Sequence, residues 1–128
     1  MRRERGSAPV EFVLVGGFLL VPLFLGIVQL GLVLHMRNVV AASAAEAART
    51  AANADRLPRD GEVRAREFVG DALSSDVAEA LSYDGRQTRD ASGVVVVEVR
   101  VRGPLPLTFL PFGSVSVDVV GHAVKEGQ

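Results

Sequence analysis

The chain has 128 residues, with 14 basic and 15 acidic side chains and a net charge of −1. No global field draws it to nucleic acid, and no basic stripe with interleaved aromatics is present. It contains no cysteine, which excludes a disulfide framework and thiolate metal ligands and leaves the compartment open.

Residues 1–6 form a short basic leader, Arg2, Arg3 and Arg5 against Glu4. Directly after it, Phe12 to Leu34 carries no charge. At about 1.5 Å per helical residue its roughly 23 positions reach about 34 Å, enough to cross a hydrocarbon core of about 30 Å. A helix buried in a globule is the rival reading, but so short a chain cannot surround that length with protein. A cleavable secretory signal is another; the run is too long for one, and no small-x-small site interrupts it. The leader outweighs the far flank in positive charge, where only Arg37 lies close by. The positive-inside rule then keeps the N-terminus in the cytoplasm and sends the C-terminal part across the membrane.

Helix-forming residues continue beyond the span. Ala41, Ala42, Ala44, Ala45, Ala47, Ala48, Ala51 and Ala52 make His35 to Asn53 strongly helical, so one long helix is expected from about Ala8 to about Asn53. Its alanine surface either admits close approach of another helix or reflects propensity alone. Gly16, Gly17, Gly26 and Gly31 form no clean Gly-x-x-x-Gly pair, and Pro22 marks a point for a kink. Glu11 stands at the edge of the apolar run. It is either an interfacial charge favoured by the helix dipole or a carboxylate in lipid that requires a partner.

Pro58 and Gly61 break the long helix. Asp60 is placed to cap a second helix, with Glu62 in its first turn and Ala65, Phe68, Val69, Ala72 and Leu73 as its core stripe. Arg64, Arg66, Glu67 and Asp71 read as the solvated face. Ser74-Ser75-Asp76 interrupts the pattern, and Val77 to Tyr83 is either a strand or a further helical turn, with Asp84-Gly85 suggesting a turn after it. From Val94 the period becomes two. Val95, Val97, Val99 and Val101 alternate with Glu98, Arg100 and Arg102, and Val115, Val117, Val119 and Ala123 oppose Ser114, Ser116, Asp118 and His122. These are two antiparallel strands, with Ala78 to Tyr83 as a candidate third. Their connection, Gly103 to Gly113, is unusually apolar. It either folds back over the core or presents Leu105, Leu107, Phe109, Leu110 and Phe112 to a partner or bilayer.

The expected fold is α+β. A transmembrane helix extends to residue 53, and residues 54–128 form a small external domain with a second helix and a two- or three-stranded antiparallel sheet. Neither His35 nor His122 has metal-ligand spacing around it, and no phosphate loop or nucleophile elbow is present. Asp84 and Asp90 carry no signal for acid–base catalysis. A non-enzyme without cofactor or metal is expected.

The string Arg5-Gly6-Ser7-Ala8-Pro9-Val10-Glu11-Phe12 resembles the processing site of type IV prepilin-like proteins. The longer stretch from Gly6 to Ala52, including Gln29-Leu30-Gly31, Arg37-Asn38 and Ala44-Ala45-Glu46-Ala47-Ala48-Arg49, is similar to the TadE-like family of the Tad (tight adherence, Flp) pilus system. The resemblance implies cleavage after Gly6 by a membrane-embedded prepilin peptidase, with Ser7 as the new N-terminus. Glu11 would then be a recognition element or the salt-bridge partner of a neighbouring subunit's Ser7 ammonium, and Phe12 would hold the frequent aromatic place. It further implies a minor pilin or pseudopilin that packs its long helix against other pilin-like subunits and the assembly platform. The reading from a different class is a membrane-tethered envelope binding module that never enters a filament.

Overall fold

The structure is a computed structural model and describes residues 7–107 and 113–127. Gly6, Phe109, Leu110 and Phe112 lie outside the described residues. The elements are α1 (Ser7–Ala52), α2 (Pro58–Ala72), α3 (Ser75–Ala80), β1 (Ser82–Arg89), β2 (Val95–Pro106) and β3 (Ser114–Val124). The strands form one antiparallel sheet in the order β1-β2-β3, and the fold is α+β.

α1 continues as helix through Pro22, although proline cannot supply the N–H that would bond the carbonyl four residues earlier. The helix has two environments. From Ser7 to Ile27 every side chain except the half-buried Gly16 is exposed, and from Val28 onward the rest of the chain begins to cover it. Val40, Ala44, Ala47, Ala48 and Ala51 are then fully buried. Their spacing of three and four residues puts them on one face. This face packs inward on the sheet and α2, so small side chains serve close approach within the chain itself. The C-terminal quarter of α1 is thereby the central helix of the α+β unit.

Two glycines make that approach feasible. A Cβ at Gly121 would collide with the carbonyl of Ala44, and one at Gly61 would lie 3.0 Å from both the Ala47 carbonyl oxygen and the Ala51 Cβ. The sheet presents Val97, Val99, Val101 and Val117 to the same interior, as the alternation of β2 and β3 predicts. Leu105, expected in the connection, joins them because β2 runs on to Pro106 and carries the alternation past Gly103. Each fully buried valine contributes about 1.5–3 kcal/mol through removal from water.

The intermediate segments differ from expectation in instructive ways. α2 starts at Pro58, a proline-tolerant first position. Asp60 lies inside the helix rather than before it, and its carboxylate reaches back to accept the Leu57 N–H at 2.7 Å. Gly61, Ala65 and Val69 are its buried residues, whereas Ala72 is exposed. Val77 to Tyr83 resolves into both alternatives: α3 ends at Ala80 and β1 begins at Ser82. Ser74 caps α3 by accepting the Val77 N–H at 3.2 Å.

The third strand therefore occupies Ser82–Arg89, and Asp84-Gly85 is no turn but the middle of β1. Gly85 is needed there because the Pro58 carbonyl fills the place of a Cβ, and its N–H donates to Glu62 Oε1 at 2.8 Å. The actual turn follows at Asp90. Its Oδ1 accepts from the Ser92 N–H at 2.8 Å, the Ser92 hydroxyl at 2.6 Å and the Val94 N–H at 3.0 Å, while Gly93 takes a φ of +86°.

Candidate functional site

The site begins with the exposed part of α1. Ser7 is its first residue, and Glu11 and Phe12 follow in its opening turns, both exposed; Phe12 retains 80% of its accessible surface. The 18-residue apolar window of this helix has a mean hydropathy of 2.4, and none of it is buried by the rest of the chain. Among the described residues this is one helix long and apolar enough to cross a membrane. Water does not tolerate so much continuous apolar surface on a small protein.

The far end of the sheet approaches this helix. Leu105 is fully buried in the core opposite Val115, so it holds the hairpin to the core and offers no surface to a partner. Leu107 is half-buried and Val115 is exposed. Together with Pro22, Gly26, Gln29 and Val33 of α1 they wall an apolar cleft of about 640 Å³. Gln29 is 8% exposed, a buried amide within the apolar run. The sequence reading gave Val115 only a strand role and Gln29 only a place in a motif. An amide within an apolar run is a signal in its own right, because a polar group there calls for a partner.

The outer sheet face is charged and largely self-neutralised. Arg86 Nε lies 3.3 Å and His122 Nε2 3.2 Å from the Glu98 carboxylate, and Arg100 holds Asp118 at 2.6 Å. The Arg100 guanidinium bonds both Asp118 oxygens, which holds that carboxyl below its ordinary pKa. The Ser92 hydroxyl and backbone N–H groups do the same for Asp90. Tyr83 is raised by burial, opposed by Arg66, whose guanidinium lies 5.2 Å from the ring centroid. Among the described residues no group of three His, Asp or Glu side chains is placed to hold a metal ion.

At the other end of the fold, Lys125 closes α1. Its ammonium donates to the carbonyls of Ala51 and Asn53 at the helix C-terminus, at 3.2 and 2.6 Å, and to that of Arg56 in the following turn at 2.6 Å, so it satisfies oxygens that the helix end leaves open and ties the turn to it.

These features define a protein with one exposed apolar helix, continuous with a small α+β unit. Residues 6–49 match the family model for TadE-like protein, about a third of the chain, and all of the matched stretch that the structure describes lies within α1, so it is the long helix that is similar to that family. Comparison with curated proteins gave no match, and comparison with solved structures gave none.

Proposed function

We propose that the protein is a single-pass minor pilin or pseudopilin of a Tad/Flp-type pilus or a related secretion machine. The observation that carries this reading is the coincidence of the TadE-like match with a helix whose first 21 residues, Ser7 to Ile27, the chain leaves almost wholly uncovered. Such a surface is suited first to lipid and then to the helices of neighbouring subunits, and the role needs no catalytic step. The basic leader favours an orientation with the N-terminus cytoplasmic and the α+β unit on the far side of the cytoplasmic membrane, the end of its β2–β3 hairpin lying along the span.

In this reading a prepilin peptidase cuts after Gly6 and frees the Ser7 ammonium. Glu11, one turn further along and in apolar surroundings, is stabilised by that ammonium on an adjacent subunit. Mass spectrometry of the membrane-extracted protein tests the cut: loss of residues 1–6 is expected. Glu11→Ala is expected to reduce the protein in sheared filaments at least tenfold while leaving its membrane level unchanged. An intact Met1 together with absence of the wild-type protein from sheared filaments would favour a membrane-tethered binding module instead, and undiminished recovery of Glu11→Ala in filaments would overturn the role given to Glu11.

A further inference from the structure

The cleft between α1 and the β2–β3 hairpin has dimensions and surroundings that identify an occupant. Its helix wall runs from Pro22 to Val33, eleven residue steps, or about 16 Å at about 1.5 Å each. One leaflet is half of a hydrocarbon core of about 30 Å. The uncharged run ends at Leu34, so the wall extends from near the bilayer midplane to the edge of the hydrocarbon on the domain's side. Arg37, exposed, follows Val33 by four residues and therefore stands on the same helix face one turn nearer the headgroups. The cleft volume of about 640 Å³ falls within the range of about 300–1,000 Å³ usual for small-ligand sites. At Gly26 the cleft is open, with nothing within 4 Å of where a Cβ would be, so a large side chain there has room to enter it.

We propose that this cleft seats one acyl chain of an anionic phospholipid from the leaflet on the domain's side, with Arg37 at the phosphate. The chain lies between α1 and the hairpin, against Leu107 and Val115, so lipid joins the sheet to the span. This rests on the reading of α1 as membrane-spanning.

The chain has no tryptophan, so one introduced indole reports its own surroundings. Full-length Leu107→Trp and Val115→Trp probe the hairpin wall, and Phe18→Trp probes the span. Each is reconstituted into vesicles of phosphatidylcholine and phosphatidylglycerol, with bromine on the acyl chains of one lipid at a time. Both hairpin probes are expected to be quenched at least half as strongly as Phe18→Trp, more by brominated phosphatidylglycerol than by brominated phosphatidylcholine. Adding Gly26→Phe, whose ring fills the cleft, should cut the hairpin quenching at least twofold, and Arg37→Gln should abolish the preference for the anionic lipid. Quenching of Phe18→Trp alone overturns the lipid seat and leaves the spanning helix standing, whereas no quenching at any position overturns both. Hairpin quenching indifferent to Gly26→Phe or to Arg37→Gln also overturns the seat, since it reports only bulk lipid.

Discussion

Gly121 is where the two halves of the fold touch. Its missing side chain leaves room for the Ala44 carbonyl, and because the obstacle is helix backbone, neither element can yield cheaply. Gly121→Ala is expected to destabilise the protein by about 3 kcal/mol, the upper end of the overpacking range, measured by denaturant unfolding in detergent. Gly16→Ala is the control, since its Cβ would meet open space and alanine favours a helix over glycine by at most about 1 kcal/mol, and it should not destabilise the protein. Asp118 supplies a second test. Its folded pKa lies below the unfolded value because Arg100 bonds the charged form, so the native state binds fewer protons. The stabilisation is complete above the ordinary carboxylate pKa of about 3.8 and is lost as pH falls through the depressed one. Melting temperature should therefore fall between about pH 5 and pH 2, and fall less steeply in Asp118→Asn. A variant slope equal to that of the wild type would show that the pair is screened out by solvent.

Among elements, the long helix and the two valine strands were the most legible in the sequence, because each repeats one period over many residues. α1 runs within a residue of its expected ends, and Val97, Val99 and Val101 face the core as their alternation requires. Short elements were less legible for a physical reason. Asp84-Gly85 carries turn chemistry, but its glycine answers to the Pro58 carbonyl packed against it, a tertiary demand with no local signature. The alanine face of α1 was ambiguous in the same way, since alanine favours a helix whatever lies opposite. Its partner proves to be the chain's own sheet and α2. Of the candidate site, the exposed helix could be read directly, while the cleft depends on where the hairpin falls. The packing makes a fragment prediction. Residues 54–128 alone lack Val40, Ala44, Ala47, Ala48 and Ala51 and should be unfolded by circular dichroism, whereas residues 35–128 should retain the sheet and unfold cooperatively. A folded 54–128 fragment would mean that the helix is dispensable to the core.

At the scale of the whole molecule, α1 is one uninterrupted helix from the exposed end to the buried end, and no linker separates the apolar stretch from the folded unit. A flexible tether would decouple the orientation of the outer unit from whatever the span packs against. Here the two are joined by a rod, and an α-helix turns about 100° per residue. Azimuth is thus transmitted from Glu11 to the sheet. Inserting one alanine between Gly16 and Gly17 should leave the α+β unit folded and the protein in the membrane, yet rotate Glu11 by about 100° and abolish recovery in sheared filaments. Inserting four, a net rotation of about 40°, should restore part of it. Equal filament yield from both insertions would mean that the rod carries no angular information. If the rod does carry it, then in the proposed pilin role each subunit would arrive with its charged outer sheet face already aimed, and the bearing of that face around a filament would be decided within the bilayer, before assembly begins.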